Sequence, residues 1–187
     1  MAINFEWRAH DGDGWNFVIS QTNVIAFYGP EGYGSPIQVG QFNDSMHIRQ
    51  SLSDDTDACP PPHLTNLKYI SDTEVSINGG SPVALTSVTQ ENCIQIHIQS
   101  DTEIKIIGAR FYVYDGTNVD NPPENVVFKA FKLGDTSWSQ PHGRSNALDL
   151  GTSDTATDHY FYLGMSLSPT STGAATTFVA RVEIDVQ

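Results

Sequence analysis

The chain has 187 residues, only 17% of them charged, and 22 acids against 9 bases give it a formal charge of −13. A surface that negative repels phosphate backbones, which argues against nucleic acid as a ligand and favours cations and basic partners. The length suits one domain, 1–187, around one well-filled core, and no apolar run approaches the ~20 residues needed to cross a bilayer.

In chain order, "MAINFEWRAH" carries Glu6 and Arg8 inside what would be the apolar part of a secretion signal. The expectation is a soluble protein with no signal peptide, made in a reducing cytoplasm. Strand candidates follow at Asn4–Arg8, Trp15–Ser20, Asn23–Tyr28, Ile37–Phe42 and Met46–Leu52, with turn residues between them. The first two flank "HDGDGW", His10 to Trp15. A calcium loop needs oxygen ligands at positions 1, 3 and 5, Gly at 6 and an acid at 12. Counting Asp11 as position 1 or as position 3 puts Trp15 or Ala9 where an oxygen belongs, and Thr22 or Ser20 where the closing acid belongs. A hairpin turn is the better account, since Asp-Gly pairs tolerate positive φ. Trp7 and Trp15 then read as core or cross-strand partners. "GPEGYG" lacks the Lys-Ser/Thr of a phosphate loop.

Ser53–His63, "SDDTDACPPPH", must be extended and stiff through Pro60, Pro61 and Pro62. Asp54, Asp55 and Asp57 read as a solvated acidic loop rather than a cation site. "SINGGSPVAL" places Asn78-Gly79 between β-rich runs, the strongest short hairpin signal. "CIQIHIQS" alternates strictly, with Ile94, Ile96 and Ile98 on one face and Gln95, His97 and Gln99 on the other. "EIKIIGARFYVYDG" is long for a strand. Gly108 marks a bulge that lets Ile104 and Ile106 face inward before Phe111 and Val113 take over. "VVFKAFKLG" is apolar on both faces in part. Gly134–Asp158 reads as a long polar loop with one short strand at Ala147–Leu150. "HYFYLGMSLS" puts Phe161, Leu163, Met165 and Leu167 on one face, and Ser168–Thr176 connects it to a last strand alternating through Phe178, Ala180, Val182, Ile184 and Val186.

No segment has a 3.6-residue apolar stripe. Many short strands separated by Gly, Pro, Asn and Asp argue an all-β fold: an antiparallel β-sandwich, jelly-roll-like, of about eight to ten strands. The six histidines show no metal-ligand spacing and read as ordinary surface residues, Asp158-His159 has no nucleophile motif beside it, and Glu103 and Glu124 carry no catalytic mark. No enzyme activity and no cofactor are expected. Cys59 and Cys93 could pair, but a cytoplasmic origin favours two free thiols. Trp138, beside His142 and Arg144 in the long polar loop, has two readings: an exposed ring that stacks on a sugar or partner, or a plug for the end of the sandwich. Tyr28 and Tyr33 invite the same two.

Beyond these features, "CPPPHLTNLKYISDTEVSINGG", "CIQIHIQSDTEIKIIGARFYVYDGTN", "DTSW" and "LGMSLSPTSTGAATTFVARVEID" resemble virion structural proteins of marine tailed bacteriophages, cyanophages among them. The matching features are the block around His63, Asn66 and Tyr69, the "ARFYVYDG" strand and the terminal "SxSPxSxG" hairpin. The resemblance implies a non-enzymatic particle component assembled in the host cytoplasm. On that basis the expected function is a capsid decoration, or cement, protein bound to the major capsid protein lattice, with possible homo-oligomerisation. The alternative is a tail-associated receptor- or carbohydrate-binding module. The candidate partner contacts are Pro60, Pro61, Pro62, His63, Trp138, His142 and Arg144.

Overall fold

The computed structural model describes residues 2–10, 12–19, 24–28, 37–42, 46–51, 67–123, 126–169 and 179–187. The fold is all-β and sandwich-like. Its strands are β1 (Ile3–Ala9), β2 (Phe17–Ile19), β3 (Val24–Tyr28), β4 (Ile37–Phe42), β5 (Met46–Ser51), β6 (Leu67–Ser71), β7 (Glu74–Ile77), β8 (Val83–Ala84), β9 (Ile94–Tyr114), β10 (Val126–Lys132), β11 (Leu148–Pro169) and β12 (Val179–Val186). Nine form one sheet in which β10, β11, β9, β12, β4, β5 and β3 are neighbours in that order, with β1 and β2 joined at β9; β6, β7 and β8 form a second. Most pairs are antiparallel, while β12–β4 and β3–β5 run parallel. The described strands do not spell out an eight-stranded jelly roll. Among the described residues no helix is long and apolar enough to cross a membrane.

The two longest strands set the architecture. At ~3.3 Å per residue, 21 residues of straight β9 would span about 70 Å, far more than a chain this size can hold in a compact fold. β9 therefore bends, and β11 bends with it. Their pairing slips register at four places between Asp149 and Asp158, with Gly151 at φ 95° among them. On one side of the bend β9 lies between β1 and β11; on the other it lies between β11 and β12. The two halves stack face to face. Trp7, paired with Ile96, meets Phe111 edge-on at a centroid distance of 6.3 Å, although Ile96 and Phe111 lie far apart along β9.

The inward side chains follow the alternation read from the sequence. Ile94, Ile96, Ile98, Ile104 and Ile106 are buried, then the parity changes and Ala109, Phe111 and Val113 are buried instead. The change falls at Gly108, where the β9–β12 register slips, and Ile107 beside it is 49% exposed. Phe161, Leu163, Met165, Ala180 and Val182 close the same core.

β10 faces two ways. Phe128 and Ala130 enter the main core, while Phe131 joins a second one with Leu67, Val75, Leu85, Val88, Cys93 and Trp138 beneath the small sheet. The Tyr69 N–H donates to Ser166 Oγ at 2.9 Å and ties that sheet to β11. The hairpin at Asn78-Gly79 is present, with φ of 50° and 74° and a Gly80 N–H to Ile77 C=O bond of 2.9 Å, the backbone of a tight primed turn. The "DGDG" segment likewise joins paired strands, β1 and β2, with Gly12 at φ 102°.

One element differs plainly from its sequence reading. The long loop expected to reach Asp158 ends at Ala147, and Ala147–Leu150 is not an isolated short strand but the entrance to the 22-residue β11. Thr152 to Asp158, all polar but Ala156, line the bend and its wet face, and their backbone does not leave the sheet. Loop 53–63 and the Ser168–Thr176 connection beyond Pro169 lie outside the described residues.

Gly164 shows how tightly the second core is built. It pairs across the strands with Phe131, and a methyl at its Cα would overlap that ring. Gly164→Ala should lower stability by about 1–3 kcal/mol through overpacking. Thermal unfolding checks this; an unchanged midpoint would mean the ring has room to move.

Candidate functional site

Segment 138–147 carries three of the sequence-derived candidates, and backbone bonds stitch it across two layers. The Trp138 N–H donates to Asp72 O at 2.8 Å, Ser139 and Ala130 exchange bonds of 2.8 and 2.9 Å, and the Val113 N–H donates to Pro141 O at 2.8 Å. Gly143 sits at φ 77° with its N–H on Val113 O, against the Asp120 carbonyl where a side chain has no room. Trp138 is 6% exposed. Its ring stands edge-on to Phe131 at 4.8 Å and to Tyr69 at 5.9 Å, and its Nε1–H donates to Glu74 O at 3.1 Å. The exposed-ring reading is thus corrected: Trp138 is a plug, since both its apolar body and its polar N–H find partners inside.

His142 is half-buried, and its Nε2 accepts the Phe128 N–H at 3.1 Å. Burial, with the nearby Lys129 ammonium, holds this imidazole below its ordinary value. Arg144 is exposed, and its Nε donates to Glu183 Oε2 at 3.0 Å. The same carboxylate receives Arg110 Nε at 3.0 Å and the Tyr112 hydroxyl at 2.7 Å. Burial pushes Glu183 up, but the Tyr112 hydroxyl and the two guanidiniums outweigh it and hold the carboxyl below the usual range. So Trp138, His142 and Arg144 share a segment without converging on one pocket. Pro60, Pro61, Pro62 and His63 lie outside the described residues, as do Asp54, Asp55, Asp57, Cys59 and Tyr33.

A second cluster was missed in the sequence. On the outer face of β1, β9 and β11, His97 lies between two carboxylates. Its Nδ1 is 3.3 Å from Glu6 Oε2 and its Nε2 is 2.7 Å from Asp158 Oδ1. An ionised carboxylate can only accept, so both contacts are complete hydrogen bonds only for the imidazolium. Tyr160 stacks on the ring, 4.8 Å away and tilted by 8°. Arg8 grips Glu6 through Nε and Nη2, and Gln99 Nε2 reaches Asp158 Oδ1 at 3.4 Å. The Arg8 hydrogen bond, then that of His97, lowers the Glu6 carboxyl against burial, and the bonds from His97 and Thr157 lower Asp158. His97 is only 4% exposed, so its reading as an ordinary surface residue is corrected. The strict Ile/Gln/His alternation did put it on the outer face, but alternation says nothing of what neighbouring strands lay over that face. In the next row Gln95 is buried. Its Nε2 is 3.3 Å from the Tyr162 hydroxyl, and its Oε1 has no partner among the described residues.

His159 is likewise not a surface residue. It is 1% exposed, with Nδ1 2.8 Å from Ser153 Oγ and, among the described residues, no partner on Nε2. A catalytic serine–histidine pair has a third group that orients the imidazole; among the described residues none lies on the far nitrogen of His159. Cys93 is a buried free thiol pushed up to about 12 by desolvation, which leaves it protonated and unreactive. Among the described residues no group of three His, Cys, Asp or Glu could hold a metal ion. No protein-family model matches the sequence, and neither a curated protein nor a solved structure does.

Two outcomes test this geometry. Trp138→Ala should cost about 3–5 kcal/mol, as expected for a large ring removed from a closed core; a loss under ~1 kcal/mol in denaturant unfolding would contradict the plug. His142 supplies a pH signature. Its folded value lies below the ordinary 6.5, so the unfolded chain binds the proton more readily. Its contribution to stability is therefore complete above about pH 6.5 and is lost as acid takes the pH down through the lowered folded value. His142→Gln keeps an acceptor for the Phe128 N–H and removes the titration. Its stability should fall less between pH 7 and 5 than that of the parent, and equal slopes would refute the assignment.

Proposed function

We propose that the protein is a non-enzymatic structural component of a bacteriophage virion, a decoration or cement protein that binds the outside of the major capsid lattice. The observation that carries this is the disposition of charge. The chain holds a formal charge of −13, and the cations described are mostly engaged internally. Arg8 lies on Glu6, Arg110 on Glu183 and Asp185, and Arg144 on Glu183, while Arg181 and Lys129 lie over the rings of Tyr114 and Tyr69. The unmatched acids dominate the field outside, which suits adhesion to a basic surface of another subunit. Its resemblance to virion proteins of marine tailed phages supports the same assignment.

The mechanism is linkage. A ligand that binds only the assembled lattice stabilises it by about 2.7 kcal/mol per site at a hundredfold excess over Kd, and homo-oligomerisation about a symmetry axis would multiply the affinity. The alternative, a tail-associated carbohydrate-binding module, takes Trp138, Tyr28 and Tyr33 as stacking rings; it loses the first of them, which lies inside the second core. Counting copies per particle decides between the two. Hundreds of copies on purified tailless heads are expected; a dozen or fewer, confined to tails, would end the assignment.

A further inference from the structure

Three neighbouring strands turn side chains outward in register. Glu6 of β1 stands opposite His97 of β9, which stands opposite Tyr160 of β11, and in the next row Arg8, Gln95 and Tyr162 align. Tyr160 is 45% exposed and lies nearly parallel to the imidazole beneath it. His97 therefore fixes one face of the phenol ring and leaves the other to solvent. We infer that this face is a binding platform for a neutral polysaccharide, with Tyr160 as the ring on which a sugar stacks.

The chemistry fits a pyranose on both counts. A sugar ring presents a flat C–H surface that packs on an aromatic face, and a rim of hydroxyls that both donate and accept. Around Tyr160 the Asp158 and Glu6 carboxylates accept, and the Arg8 guanidinium donates. Every bond that Arg8 and His97 make to Glu6 falls on Oε2, so Oε1 keeps its lone pairs among the described residues. These groups already hold one another in place, so little side-chain freedom would be lost on binding. Charge selects the class of saccharide. A formal −13 opposes anionic glycans. Arg8, bonded to Glu6 through Nε and Nη2, offsets that carboxylate locally and leaves the face less surplus charge with which to hold a cationic segment.

The platform does not depend on the location of the protein in a particle, and copy number leaves it untouched. The test is affinity electrophoresis of the full chain in gels cast with dextran, mannan, galactomannan or xylan. At least one should retard it. Tyr160→Ala should weaken the retardation about tenfold in apparent Kd, Asp158→Ala should weaken it too, and Tyr160→Phe, which keeps the ring, should retain it. No retardation by any of the four, or equal retardation of the parent and both alanine variants, overturns the proposal. So does binding to oligo-arginine alone, which would reassign the face to a basic protein partner.

Discussion

The bend shared by β9 and β11 is the constraint on which the other features depend. An antiparallel pair of more than twenty residues has too much length for a domain of this size and too many backbone donors to leave the sheet cheaply. Register slips solve both problems, since each slip changes direction while most of the ladder stays intact. The consequence is that one pair of strands supplies both walls of the main core. Ile96 and Phe111 belong to the same strand and share one core, with Trp7 beside Ile96 and edge-on to Phe111. The parity switch at Gly108 is required by the same geometry, because without it Phe111 and Val113 would point to solvent.

A second consequence concerns the outward faces. Strands that form both layers expose two long polar surfaces, and each is treated differently. Over β10 and β11 the small sheet of β6 to β8 adds a third layer, with Phe131 and Trp138 filling the gap and Gly164 leaving room for the Phe131 ring. Trp15 and the second core cover Tyr162 in one row, whereas over the neighbouring row of Glu6, His97 and Tyr160 no further layer is described. Carboxylates, a guanidinium, an imidazole and a phenol ring cover it, held by cross-strand pairing alone. The same sheet therefore has one closed flank and one chemically furnished flank.

What the sequence disclosed follows this division. Period-two alternation is imposed by burial on one side, so Ile94 to Ile98 and Ala180 to Val186 could be assigned to their faces directly. The Gly108 bulge was legible because a change of parity is itself a pattern. The first-half strands, β1 to β5, fell where β-rich runs lay between turn residues. The extent of β11 was not legible. Thr152 to Asp158 look like a loop because their neighbours at the bend demand no large apolar side chain, yet their backbone is paired to β9. Trp138 could not be placed either, since its partners are Phe131 and the carbonyl of Glu74, 64 residues away. His97 failed for a related reason. Its enclosure comes from Glu6, Asp158 and Tyr160 on two other strands, and only the register brings those three together.

That last case bears on how such a surface acquires function. A histidine in an exposed row of a sheet is ordinarily solvated, and its enclosure here leaves a phenol ring propped flat above it. A tyrosine in a lone row would sample several rotamers and lose that freedom on contact with any partner. Stacking on His97, itself bonded at both nitrogens, removes the freedom in advance. The carboxylates do two things at once: they anchor the imidazole and they rim the ring. A rigid aromatic face with a polar margin is the sort of surface that recognises shape and hydroxyl pattern rather than charge. It sits on the flank that the fold leaves without a third layer among the described residues.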